Sequence, residues 1–200
     1  MESLPLFHRL AGRPVLVVGT GDAADAKRRL VIEAGGVPVT EPGPDVRLAF
    51  VALETGAEAE AERLRALGLL VNVVDRPGLS DVTVPALVDR APVTVAVGTG
   101  GASASLAKAL KERLELLLPP GLGALARAIR AARSEVADRH PSVAARRAFW
   151  AALLEPGGPL DPLADIGDPQ KAIASALAGP SPAPPPVQVD EIRLGPAGAE

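Results

Sequence analysis

The run Val15-Leu-Val-Val-Gly-Thr-Gly-Asp-Ala-Ala24, continuing directly as DAKRRLVIEAG, decides the fold. An apolar strand feeds a glycine turn, and the turn opens an amphipathic helix. Gly19 permits the tight turn, and Gly21 lets the backbone come close to a diphosphate. Ala24 takes the place of the third glycine of the usual pattern and still allows close packing of strand on helix. The N–H groups at the start of the helix, with its dipole, favour an anion there. Thr20, Asp22 and Ala23 complete the turn. The expectation is a dinucleotide, and specifically NAD. An acidic residue, Glu41, lies about 20 residues beyond Gly21, at the end of the next strand, where it can accept from an adenosine ribose. The structural alternatives are a glycine-rich turn without a ligand, and an ordinary exposed strand-end acid at Glu41.

Composition bounds the other possibilities. A chain of 200 residues allows one moderate domain and an appendage. At 48% hydrophobic but only 2% aromatic content, the core must be built from aliphatic side chains and alanine. The formal net charge of −3 gives no global basic field for nucleic acid. The absence of cysteine excludes disulfides, zinc knuckles, iron–sulfur clusters and thiol catalysis. With His8 and His140 the only histidines, no permanent transition-metal site is expected. The start, MESLPLFHRLAGR, is too weakly apolar for a signal peptide, and no run is long enough to span a bilayer. A cytoplasmic protein is expected.

The alternation of elements predicts a doubly wound α/β sheet. Strands are expected at 15–19, 37–40, 47–53 and 69–74, with helices at 23–34 and 57–67 between them. The pattern then changes. Two strands, 83–90 and 93–99, flank Ala91-Pro92 and lead into a helix whose Leu106, Leu110, Leu114 and Leu117 share a face. Helices follow at about 122–136 and 143–154. From Glu155 the composition turns rich in proline and glycine, around one short helix at 169–178 that Asp168 caps and Pro169 begins. The expected organisation is a Rossmann-like dinucleotide domain over 1–82, a dimerisation hairpin and helix over 83–118, a small helical domain over 119–156, and a mostly mobile tail over 157–200. Either a partner subunit or the C-terminal helices should cover this hairpin and its apolar helix.

Five strings in order carry a resemblance: LPLF near the start, GTGDAADAKRRLVIEAG, NVVD at 72–75, TVPALVDRAPVTVAVGTGGASASLAKALKERLE, and RRAFW at 146–150. Over roughly residues 1–155 the chain resembles the precorrin-2 dehydrogenase / sirohydrochlorin ferrochelatase family, the NAD-dependent part of sirohaem synthase. The resemblance implies NAD-dependent oxidation of precorrin-2, a homodimer, and in some members insertion of ferrous iron as a second substrate.

Within that frame Asp75 is the expected base, at the C-terminal end of a central parallel strand, where ligands of open α/β sheets bind. Without the family match it reads as a strand-end acid capping the next loop. Asn72 either contacts cofactor or holds backbone. The substrate carries many carboxylates, so Arg90, Arg146 and Arg147 are candidate ligands, each weighed against a plain surface role. Thr99 and Ser103, around Gly100-Gly101, form either an anion-binding turn or an ordinary helix cap. Phe149 and Trp150 read as core. One departure stands out: EPGPDVR crosses directly between strands where relatives carry a further helix and strand. Glu54 and Thr55 stand at cofactor-edge positions with altered chemistry. These changes keep a second reading open, a degenerate relative that binds nucleotide or tetrapyrrole without turnover.

Overall fold

The computed structural model describes residues 3–179. The chain forms two compact units: one runs up to Ala86 and includes Ala96–Leu110, and the other joins Leu87–Val95 to the chain from Lys111 onward.

The first unit contains β1 (Pro14–Gly19), α1 (Asp22–Glu33), β2 (Val37–Val39), β3 (Leu48–Ala52), α2 (Ala57–Ala66) and β4 (Leu70–Val73). The strands lie in the order β2-β1-β3-β4, all parallel. Side chains alternate across the pleat, so neighbours in β1 serve opposite layers. Val15 and Val17 pack with Ala24 and Val31 of α1, and with Leu48 and Phe50. Leu16, one residue out of phase, packs with Ala57, Ala61 and Leu64 of α2, and with Ala49, Val51, Val71 and Val73. Burial on both faces explains why these strands read as unbroken apolar runs. Each fully buried Val or Leu contributes about 1.5–3 kcal/mol. β2 is a three-residue edge strand. It tolerates Pro38, which has no N–H to donate. The direct crossing from β2 to β3 leaves no strand outside it.

β5 (Ala86–Arg90) and β6 (Val93–Val97) pair as a two-stranded sheet around a cis Ala91–Pro92 bond. They are followed by α3 (Ala104–Leu117), α4 (Leu122–Arg139), α5 (Val143–Leu154) and α6 (Pro169–Ala178). The division between the units passes through β5, β6 and α3. The expected segment 83–118 is therefore not a unit of its own. In the second unit Gly123 of α4 lies under the β5–β6 turn, where a Cβ would collide with the carbonyl oxygens of Arg90 and Ala91. Arg127 donates to the Ala91 carbonyl at 2.7 Å.

The expected tail boundary is also corrected. Leu160, Ile173 and Leu177 are buried in the same core as Leu122, Leu125, Val136 and Phe149. The helical unit therefore continues at least through α6. α6 has the predicted bounds, with the Asp168 carboxylate accepting from the Gln170 and Lys171 N–H groups. What composition hid is a specific anchor: Asp161 accepts from the N–H groups of Gly157 and Leu163 at 2.9 Å each, fixing the turn that returns the chain to the core. Residues 180–200, the rest of the predicted tail, lie outside the described residues. Among the described residues none of α3 is buried. No helix of the described residues is long and apolar enough to cross a membrane.

Candidate functional site

The β1–α1 turn supplies the first wall of the site. Gly19, at φ 110°, lies so close to β3 that a Cβ would collide with the Ala52 carbonyl oxygen. Its own carbonyl accepts from Arg28 at 2.7 Å, which pins α1 to the strand end. Gly21, at φ 81°, would meet no protein atom within 4 Å if it carried a Cβ. Packing does not require the bare backbone at this position. α1 has no side-chain cap, and its first intrahelical bond runs from the Asp25 N–H to Gly21. The N–H groups of Asp22, Ala23 and Ala24 are the orphan donors of a helix start.

These residues open onto a cleft of about 440 Å³. Thr20, Gly21, Asp22 and Ala23 line one side, Ala52, Leu53 and Glu54 the end of β3, and Val74, Asp75 and Arg76 the end of β4. Three strand ends thus meet at the carboxyl edge of the sheet, where open α/β folds bind ligands. Unpaired donors, a glycine bare for no packing reason and a cleft between strand ends fit a dinucleotide diphosphate.

Asp75 stands on the rim of this cleft with an exposed side chain and φ 58°. It is the only residue other than glycine with positive φ among the described residues. The backbone around it is tied down. The Val74 N–H donates to Val51 at 2.9 Å, and the Arg76 guanidinium donates to the Glu54 carbonyl at 3.1 Å. The following loop is anchored to β4 from below. Ser80 Oγ accepts from the Val73 N–H at 2.9 Å, and the Asp81 carboxylate accepts from the Val71 N–H at 2.9 Å. Buried Asn72 donates to the Val82 carbonyl at 2.8 Å. Of its two expected roles the structure shows the backbone one, and Asn72 does not line the cleft.

Lys27 was missed in the sequence, where it reads as one of several cations on a surface helix. It is half-buried on α1, with Nζ 5.5 Å above the Phe50 ring. Burial lowers its pKa below the ordinary 10.5, and the charge of Asp75 pulls it partly back. The ammonium is therefore electrostatically coupled to the expected base.

The other predicted residues divide. Glu54 joins the cleft, but Glu41 does not; it is exposed beyond β2, with its charge acting on Arg63 of α2. Thr99 Oγ1 accepts from the Ser103 N–H at 3.3 Å, and Ser103 Oγ accepts from the Leu106 N–H at 3.1 Å. Both hydroxyls thus serve the start of α3, the ordinary helix-cap alternative. The turn they flank is still close to the site, since a Cβ on Gly101 would lie 3.8 Å from Pro77, two residues after Asp75. Arg90 donates to the carbonyls of Glu115 at 2.9 Å and Leu118 at 3.2 Å, so it caps the end of α3. In the second unit Arg146 and Arg147 line a separate pocket with Trp150. Phe149 is core, as expected, but Trp150 is only half-buried.

A parallel sheet of Rossmann type, with an acidic residue at its carboxyl edge and a helical unit after it, defines the class. A family model described as "Sirohaem synthase dimerisation region" matches residues 121–177. Among similar proteins, the sirohaem synthase of Stutzerimonas stutzeri is 35% identical over 91% of this chain and 46% of its own length. That of Pseudomonas putida F1 is 38% identical over 80% of this chain and 40% of its own. The chain thus spans less than half the length of these relatives. A solved structure titled "SirC, precorrin-2 dehydrogenase" shares the fold, with a TM-score of 0.66 at 18% identity, covering 88% of this chain and 99% of that one. Residues 121–177 thus match a sirohaem synthase family model, and most of the chain is similar to part of the sirohaem synthases.

Proposed function

We propose that this chain is an NAD-dependent precorrin-2 dehydrogenase, acting in the cytoplasm as a homodimer and yielding sirohydrochlorin for sirohaem synthesis. The observation that carries the reading is Asp75, held at positive φ on the rim of the cleft that begins at Gly19–Gly21. NAD, when bound, supplies the hydride acceptor. The N–H groups of Asp22, Ala23 and Ala24 hold its diphosphate, with Thr20 and Glu54 beside it. Asp75 takes the proton that the macrocycle loses as the hydride departs. Its exposure leaves it within reach of a bulky substrate. The same carboxylate can receive pyrrole N–H protons when ferrous iron is inserted as a second substrate. Lys27 stands close enough for its ammonium to interact with that carboxylate.

Anaerobic NADH formation from precorrin-2 and NAD tests this. Asp75→Asn keeps the shape and removes the base, so its rate should fall about 10²–10⁴-fold. Equal rates in the two proteins would remove Asp75 from the chemistry. One observation favours a second reading, binding without turnover. β2 is the sheet edge and Glu41 lies away from the cleft, so the adenosine side lacks the usual wall. A folded protein that binds tetrapyrrole but forms no NADH would establish that reading.

A further inference from the structure

The helical unit carries a pocket of about 550 Å³ between α4 and α5. Arg133 and Ala137, one turn apart, contribute from α4. Val143, Arg147 and Trp150 contribute from α5 at a spacing of four and three residues, with Arg146 beside them. The lining thus combines three guanidinium groups with an apolar floor and contains no carboxylate. Arg146 is held in place by its bonds to the carbonyls of His140 at 3.1 Å and Pro141 at 2.6 Å. Arg133 and Arg147 have no hydrogen-bond or ion-pair partner among the described residues. The floor is rigid: Trp150 packs edge-on against buried Phe149 at 5.1 Å, and Phe149 stacks on His140 at 4.9 Å.

Guanidinium forks bind carboxylates in a bidentate way, and a half-exposed indole offers a flat apolar face. A small inorganic anion would use the forks and leave the floor empty. Nucleic acid would need a wide basic field, which a chain of net charge −3 does not provide. We propose that this pocket binds an organic polycarboxylate with a flat apolar body. Resting on the function proposed above, the occupant is the carboxylated tetrapyrrole. The volume lies in the usual range of small-molecule sites, roughly 300–1,000 Å³.

Trp150 is the single tryptophan, and the chain has no tyrosine, so its emission reports this pocket alone. The experiment titrates the full chain with benzene-1,2,4,5-tetracarboxylate at constant ionic strength and follows that emission. Saturable quenching is expected, with Arg133→Gln and Arg147→Gln each weakening binding about tenfold or more through loss of a charge-assisted contact. Arg130→Gln, on the same helix but outside the lining, should bind as the parent does. The proposal is overturned if quenching does not saturate, if the two variants titrate like the parent, or if inorganic phosphate matches the tetracarboxylate. It is overturned equally if Arg133→Gln and Arg147→Gln change only the sedimenting mass, which would make the face a contact with a second copy. NADH formation separates the two readings. If it fails while the titration holds, the polycarboxylate site stands and its assignment to the tetrapyrrole falls.

Discussion

Asp75 adopts a left-handed backbone that costs an ordinary L-residue roughly 1–2 kcal/mol, a penalty that aspartate bears better than most. The neighbouring bonds from Val74 and Arg76 hold it there. Its partner Lys27 is the residue with the clearest pH signature. Burial lowers the folded pKa of Lys27 below the ordinary 10.5, against a smaller opposing pull from Asp75. Between the two values the unfolded chain binds more protons than the folded one, so this group makes stability rise with pH across that window. The burial cost is fully present below the folded value and is relieved as pH approaches 10.5. Lys27→Met should therefore raise stability at pH 7, and the gain should shrink toward pH 10.5. Urea unfolding at both pH values checks it; a gain that does not change with pH would contradict the account.

At the scale of elements, α6 is the clearest test of the corrected boundary. Ile173 is 2% exposed and Leu177 7%, both in the core built by α4 and α5. Truncating Ile173 to alanine leaves a cavity in a packed interior, so Ile173→Ala should cost about 2–5 kcal/mol. Denaturant unfolding measures it. A loss within about 0.5 kcal/mol, typical of a surface site, would return residues 157–179 to the status of an appendage. The predicted cap at Asp168 and start at Pro169 were legible because capping is local chemistry. The return of that helix to the core was not, because it depends on Asp161 gripping two backbone N–H groups across a turn.

At the scale of the whole molecule, α3 is an element without a core of its own. Leu106 is 50% exposed, Leu110 41% and Leu117 54% in the single chain. A helix face of this kind calls for a partner surface. If the proposed homodimer uses this face, the double change Leu106→Glu with Leu110→Glu should shift it to monomer while leaving it folded, since no residue of α3 is buried. Sedimentation velocity decides this, and a variant that still sediments as a dimer would place the interface elsewhere.

The sequence by itself determined the parallel sheet, its glycine turn, the edge at which Asp75 stands, and most element bounds within a few residues. Each rests on local physics: unbroken apolar runs, glycine where φ is positive, and capping residues at helix starts. Folding settled which polar side chains the structure itself occupies. Arg90 spends its donors on the end of α3, Thr99 and Ser103 on its start, and Asn72 on the Val82 carbonyl, while Arg133 and Lys27 emerge as functional candidates. A guanidinium looks the same in sequence whether a distant carbonyl satisfies it or not, and that distance is set only when the chain has folded.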